Sequence, residues 1–121
     1  MKLFSAGGPN YIGVRDIESA ATWYMEKLGV RKIKVDMDDG EDCIALGYDD
    51  KNYLFALGPH GKPTDQRTPQ LFAAKLKKAW EFLNAHEISI TAIQQDRQGT
   101  HYFEMRDLEG NMIEITEEPQ V

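Results

Sequence analysis

The sequence predicts an α+β fold made of two βαβββ modules. Three observations indicate it: residue character repeats at a spacing of 59 positions, each copy has a short alternating run that leads directly into an amphipathic helix, and three strand-like runs follow each helix. The repeat aligns Ile12 with Leu71 and Trp23 with Phe82. Each copy alone is too small to bury a face of its sheet, so we expect the two to associate.

The first module begins with an alternating run at Tyr11–Arg15, which predicts a strand. Asp16 stands where a helix N-cap belongs, because its carboxylate can accept backbone N–H bonds. Apolar residues then recur at helical spacing, and Gly29 supplies the C-terminal stop. The strands expected after this helix are Arg31–Asp36, Asp42–Tyr48 and Asn52–Leu57.

The second module repeats this order. In its first strand, Leu71 and Ala73 alternate with Gln70 and Phe72. The helix that follows carries an apolar stripe at Leu76, Ala79, Trp80 and Leu83. The remaining strands are expected at Ser89–Gln94, Thr100–Arg106 and Met112–Thr116.

The length of 121 residues is that of one domain, which we expect to cover residues 1–121. Its two modules are placed at 9–59 and 68–118. The stretch between them, 60–67, is polar and contains Gly61 and Pro63, so it predicts a linker.

Charge and cysteine content exclude several classes of function. Fourteen basic against twenty acidic residues give a net charge of −6, which does not suit a nucleic-acid backbone. The apolar runs are too short for a membrane helix or a secretory signal. A lone Cys43 leaves no internal disulfide framework and no CxxC motif. We expect a cytoplasmic domain that handles a small molecule.

Two stretches resemble the vicinal oxygen chelate superfamily, which includes glyoxalase I, bleomycin resistance proteins and extradiol dioxygenases. The first is Ile12–Gly29, with an aromatic pair ahead of Leu-Gly, and the second is Phe103–Ile115. The second contains the turn Asp-Leu-Glu-Gly-Asn at 107–111, in which Leu108 replaces the usual proline. The resemblance implies that the two modules form a cupped mixed sheet, with helices on the convex face, substrate on the concave face and a homodimer as the assembly.

The resemblance also bears on metal binding. Metal-dependent members hold one divalent ion with a ligand near the start of each module's first strand and another on each last strand. Carried over residue by residue, these positions are Pro9, Thr68, Phe55 or Ala56, and Glu114. Only Glu114 keeps a ligand, so we expect no metal and no other cofactor. The alternative is one divalent metal such as Zn or Ni that uses Glu114.

Strand alternation, combined with the family geometry, selects the side chains that face the cup. They are Tyr11, Arg15, Tyr53, Phe55, Gln70, Phe72, Tyr102, Glu104, Arg106 and Glu114. Aromatic walls with a few convergent polar groups are typical of a small-molecule site, and rings suit a flat or cationic ligand. The alternative for any single aromatic is ordinary core packing.

Three functions stay open at this point. The leading hypothesis is a metal-free binding protein of the bleomycin-resistance type. The second is a metal-dependent lyase or isomerase resembling glyoxalase I, the lactoylglutathione lyase, with Glu114 as a ligand. The third is a metal-free enzyme with Glu114 or Glu104 as the proton acceptor. The alternative for Glu114 is a purely structural role, paired with Arg15 or Arg106.

Overall fold

In the computed structural model of the chain, residues 3–7, 10–33, 43–59 and 68–118 are described. Nine strands and two helices lie in these ranges. In chain order they are β1 (Phe4–Ala6), β2 (Tyr11–Val14), α1 (Ile17–Leu28), β3 (Arg31–Ile33), β4 (Ile44–Gly47), β5 (Tyr53–Pro59), β6 (Gln70–Ala73), α2 (Leu76–Ala85), β7 (Gln94–Gln95), β8 (His101–Arg106) and β9 (Met112–Glu117).

The strands form two mixed sheets with the same internal order. The N-terminal sheet runs β2-β5-β4-β3, and the C-terminal sheet runs β6-β9-β8-β7 with β1 added beside β6. In each sheet the first and last strands of the module pair in parallel, and the other pairs are antiparallel. The α+β fold predicted from the repeat is therefore confirmed.

The two helices are capped differently. Asp16 caps α1 as predicted, because its Oδ1 accepts a hydrogen bond of 3.0 Å from the backbone N of Ser19. Gly29 ends α1 in the left-handed region at φ 70. Helix α2 has Lys75 at its N-cap with no side-chain hydrogen bond, and beyond its C-terminus Glu87 adopts φ 60. Neither helix in the described ranges is long and apolar enough to cross a membrane.

The core follows the alternation of the strands. In the C-terminal sheet, the side chains that face α2 have no exposed surface. They are Leu71, Ala73, Phe103, Met105, Ile113 and Ile115, and they pack against the buried stripe of α2. The division of these strands into a core face and an opposite face was predicted correctly.

The prediction that Phe55 faces the cup is wrong. Its side chain is fully buried, and its ring lies 4.7 Å from that of Tyr24 on α1. The ring therefore packs on the helix side of the N-terminal sheet. Strand β5 is buried along its middle on both faces, so alternation of apolar and polar residues carries no information there.

Some strand boundaries also differ from the prediction. The run expected at Ser89–Gln94 forms a strand only at Gln94–Gln95, with an isolated bridge between Ile90 and Met105. Strand β1 was not predicted. The end of the expected strand Arg31–Asp36, the start of Asp42–Tyr48 and the linker at 60–67 lie outside the described residues.

Asn10 joins the two sheets. Its side-chain Nδ2 donates to the carbonyl oxygens of Leu54 on β5, at 3.0 Å, and of Gln70 on β6, at 2.8 Å. Its Oδ1 accepts from the backbone N of Gln70 at 3.1 Å. Only 6% of Asn10 is exposed, so these three bonds satisfy an amide that water cannot reach easily.

The turn between β8 and β9 docks on the first module. Asp107 accepts a hydrogen bond from the Tyr24 hydroxyl, and Asn111 Nδ2 donates to the carbonyl of Gly13 at 3.3 Å. The carboxylate of Glu109 accepts from the backbone N of Arg15 at 2.7 Å and of Asp16 at 3.0 Å. The turn at 107–111 therefore joins the second module to the start of α1.

Candidate small-molecule site

The predicted polar and aromatic residues of the C-terminal sheet lie on the face opposite α2, which we call the open face. Strand register arranges them in two rows. One row crosses the sheet as Gln70, Glu114 and Glu104, and the next as Phe72, Thr116 and Tyr102. Except for the buried Thr116, these side chains are half-buried, so they are accessible from one side and supported from the other.

The carboxylate of Glu114 lies at the centre of the open face and is held by two neighbours. Gln70 Nε2 donates to its Oε2 at 2.9 Å, and Thr116 Oγ1 donates to the same oxygen at 3.1 Å. Gln70 Nε2 also lies 3.3 Å from Thr116 Oγ1. Among the described residues, Oε1 of Glu114 has no hydrogen-bond partner. The site therefore presents one carboxylate oxygen as an acceptor.

Glu104 places a second carboxylate opposite the first. Its Cα is the register partner of Glu114 on the adjacent antiparallel strand. Thr91 makes two hydrogen bonds to the backbone of Glu104. The Oγ1 of Thr91 accepts from the backbone N of Glu104, and the backbone N of Thr91 donates to the carbonyl oxygen of Glu104, each at 2.9 Å. Like charges directly opposite on a sheet repel each other. This part of the open face therefore attracts a cation.

A cavity of about 190 Å³ opens beside Phe72. Its apolar lining comes from Leu3, Phe4, Phe72 and Ala74, and its polar lining from Ser5, Asn52 and Glu118. It is smaller than the roughly 300–1,000 Å³ of pockets that take drug-sized ligands. The cavity can therefore hold one ring or a short alkyl group.

Two predicted site residues lie away from Glu114. Arg106 is exposed, and its Nη1 donates to the carbonyl of Gly110 at 2.9 Å in the turn after β8. Arg15 is exposed at the end of β2, where its backbone meets Glu109. The alternative in which Glu114 pairs with Arg15 or Arg106 is not realised, because its hydrogen-bond partners in the structure are Gln70 and Thr116.

The predicted tyrosines of the first module lie on the N-terminal sheet. The Tyr11 hydroxyl donates to the carbonyl of Pro59 at 2.9 Å. Its ring lies so close to Gly58 that a Cβ at that position would clash with the Tyr11 hydroxyl. The Tyr53 hydroxyl donates to the carbonyl of Asn10 at 3.0 Å, and burial raises the pKa of Tyr53. Both phenols are therefore anchored at their hydroxyl ends.

Comparison with models of known protein families identifies the family of this chain. A model of the Glyoxalase/Bleomycin resistance protein/Dioxygenase superfamily matches residues 8–115. The chain belongs to this superfamily. No curated protein matches the chain.

Solved structures show the same superfamily fold at low sequence identity. The bleomycin resistance determinant encoded on transposon Tn5 has a TM-score of 0.72 and 15% identity, covering 93% of this chain and 98% of its own. A bleomycin-binding protein complexed with bleomycin has a TM-score of 0.71 with the same identity and coverage. The lactoylglutathione lyase from Agrobacterium tumefaciens has a TM-score of 0.61 and 15% identity, covering 92% and 93%. Identities this low show a shared fold.

Most positions that hold the metal in metal-dependent members of the superfamily lack a suitable ligand side chain in this chain. Thr68 is exposed just before β6, Phe55 and Ala56 are buried without donor atoms in their side chains, and Pro9 lies outside the described residues. Glu114 retains the family residue, but its Oε2 already accepts two hydrogen bonds. Within ranges 3–7, 10–33, 43–59 and 68–118, no group of three or more His, Cys, Asp or Glu could hold a metal ion. The residues at these positions do not fit a tightly held divalent ion.

The alternation of apolar and polar residues along β9 places Thr116 on the open face, but the sequence does not reveal its role there. Thr116 has the same strand parity as Glu114, so its position on the open face was predictable. Its hydrogen bond to Glu114 depends on which rotamers the two side chains adopt, and spacing alone does not specify that. The cavity beside Phe72 was also missed, because one of its walls is the unpredicted strand β1.

Proposed function

We propose that this superfamily member binds a small aromatic or cationic molecule on the open face, without a metal. One observation carries the proposal: Gln70 and Thr116 fix the carboxylate of Glu114 beside Phe72 and Tyr102. A charged acceptor held among aromatic side chains combines specificity with apolar contact area. This arrangement supports binding and sequestration of a ligand.

The structural neighbours support the class of function. A bleomycin-binding protein has this fold together with bleomycin bound, so the scaffold can serve for binding a small molecule. Binding is favoured over a metal-dependent lyase because three of the four metal positions, Thr68, Phe55 or Ala56, and Pro9, lack a suitable side-chain donor. The metal-free part of the proposal is tested by the metal content of protein purified without chelator. One tightly held ion per chain, released in Glu114→Ala, contradicts it.

Ligand binding is tested by calorimetric titration with bleomycin, ethidium and an anionic aromatic compound, 8-anilinonaphthalene-1-sulfonate. We expect saturable binding of a cationic compound that weakens about tenfold in Glu114→Gln, as expected for loss of a charge-assisted contact. Glu81→Gln, on the exposed side of α2, makes the same change in net charge and is expected to bind normally. Absence of saturable binding by every compound overturns the proposal.

The assembly and location predicted from the sequence belong to the same proposal: a cytoplasmic homodimer. Sedimentation velocity at micromolar concentration tests the assembly. A single species with the mass of one chain contradicts it.

A further inference from the structure

We infer that the ligand has two parts: a compact apolar group that occupies the cavity beside Phe72, and a protonated amine or similar cationic N–H group that binds Oε1 of Glu114. This inference rests on the proposed function and narrows it to one class of molecule. It also assigns Gln70 as a positioning residue, because Gln70 holds the other oxygen of the carboxylate.

The apolar part of the site has a fixed wall. Strand β1 supplies Leu3 and Phe4 to the cavity, and Tyr48 holds this strand in place. The Tyr48 hydroxyl accepts hydrogen bonds from the backbone N of Leu3, at 3.2 Å, and of Phe4, at 3.3 Å. Ser5 also pairs with Phe72 across the sheet. The β1 wall of the cavity is therefore held by its pairing with β6 and by Tyr48, which follows β4.

Phe72 connects the two parts of the site, because it lines the cavity and its row is next to the row that contains Glu114. Phe72 pairs with Thr116, and Gln70 pairs with Glu114, so the rows are two residues apart along both strands. Two residues of a strand span about 6.6 Å. A ligand whose ring packs against Phe72 and whose nitrogen reaches Glu114 therefore has to span about one row spacing, which a three-carbon linker plus a hydrogen bond covers.

Charge determines the chemistry of the second part. Glu104 and Glu114 face each other on the open face, and Glu118 lines the cavity. On the strand of Glu104, the Arg106 guanidinium donates to the carbonyl of Gly110, and within the described ranges it forms no ion pair with Glu104 or Glu114. These three carboxylates repel an anionic ligand and attract a cationic group.

Hydrogen bonding selects the atom that meets the ligand. Gln70 Nε2 and Thr116 Oγ1 both donate to Oε2 of Glu114, which leaves Oε1 as the acceptor among the described residues. A carboxylate oxygen accepts hydrogen bonds, so the matching group must donate one. Without Gln70 the carboxylate is less constrained, and the cationic end of the ligand loses its oriented partner.

The test uses three compounds of one shape: 3-phenylpropylamine, 3-phenylpropanol and 3-phenylpropionate. Each is titrated into ¹⁵N-labelled protein, and binding is followed by amide chemical shifts. We expect the amine to bind about tenfold more tightly than the alcohol, with shifts centred on Phe72 and Glu114, and the carboxylate to bind most weakly. Equal affinities, tighter carboxylate binding, shifts elsewhere or no binding of the amine overturns the inference.

Variants separate the two ends. Glu114→Gln and Gln70→Leu should remove the advantage of the amine over the alcohol and leave alcohol binding unchanged. Phe72→Ala should weaken both compounds equally, and Glu81→Gln should change neither. A loss of alcohol binding in Gln70→Leu would mean that Gln70 only supports the fold, which contradicts its positioning role.

Failure of this inference is distinguishable from failure of the proposed function. If bleomycin or ethidium binds with dependence on Glu114 while the three phenylpropyl compounds show no preference for the amine, the open face is a binding site and the two-part ligand is wrong. If the cationic aromatic compounds and the phenylpropyl series all fail to bind, both are wrong.

Discussion

The hydroxyl of Tyr24 donates a hydrogen bond of 2.6 Å to the carboxylate of Asp107, and both residues are buried. The bond joins α1 of the first module to the turn between the last two strands of the second. Burial and the adjacent carboxylate raise the pKa of Tyr24 well above its ordinary value, so the phenol remains a donor at all physiological pH values.

Tyr24→Phe should lower the free energy of unfolding by about 2 kcal/mol, because a buried carboxylate loses a charge-assisted hydrogen bond. Urea denaturation followed by tryptophan fluorescence measures the loss. Tyr102→Phe is the control, since its hydroxyl lies 3.5 Å from Gln94 on an exposed edge and should contribute little. Equal losses in the two variants contradict this role for Tyr24.

Glu109 should make the fold sensitive to acid. Backbone hydrogen bonds from Arg15 and Asp16 lower the pKa of Glu109 below its ordinary value of 4.5. Because the folded pKa is depressed, this stabilisation is present above pH 4.5 and is lost as the pH falls through the folded pKa. The stability difference between the native protein and Glu109→Gln should therefore be largest near neutral pH and shrink in acid.

The measurement is thermal unfolding across that pH range, with Glu81→Gln as a control for the change in net charge. A difference between the native protein and Glu109→Gln that stays constant from neutral pH to well below 4.5 contradicts the assignment.

Asn10→Ala should cost about 3 kcal/mol of unfolding free energy. The substitution leaves the carbonyls of Leu54 and Gln70 and the N–H of Gln70 without their side-chain partner in a place that water reaches poorly. Asn84→Ala makes the same chemical change on the exposed face of α2 and should be nearly neutral. Chemical denaturation of both variants provides the comparison, and a loss below about 1 kcal/mol at Asn10 contradicts the bridging role.

Glu87→Gly should stabilise the protein by about 0.5–1 kcal/mol. Glu87 adopts φ 60 just beyond α2, a conformation that costs a residue with a Cβ and that glycine adopts freely. The same substitution within the helix, Glu81→Gly, should destabilise by about 1 kcal/mol. We expect the melting temperature to rise in Glu87→Gly and to fall in Glu81→Gly. A lower melting temperature in Glu87→Gly contradicts the explanation.

Local sequence signals predicted the parts of the fold that depend on local physics. Asp16 and Gly29 bound α1 where capping and left-handed geometry require them. Alternation separated Ile113 and Ile115 from Glu114 correctly, because that strand has one apolar and one polar face.

The features that were not predicted depend on contacts between residues far apart in the sequence. Strand β1 has three residues and exists because β6 and Tyr48 are beside it, so its own sequence contains little signal. Strand β5 is apolar at both parities, and Phe55 was therefore assigned to the wrong face. The partners of Glu114 depend on side-chain rotamers across two strand pairs, which spacing does not determine.

The pairing of β1 with β6 has a consequence for how the chain can be divided. A strand from the first half completes the sheet of the second, and Asn10 and the 107–111 turn add hydrogen bonds between the halves. A break in the backbone at 60–67 interrupts none of the strands in the described ranges. Fragments 1–59 and 68–121, produced as separate polypeptides, are therefore expected to recognise each other and reconstitute the fold. The two fragments could then be used in complementation assays, in which their assembly also restores the open face and its cavity.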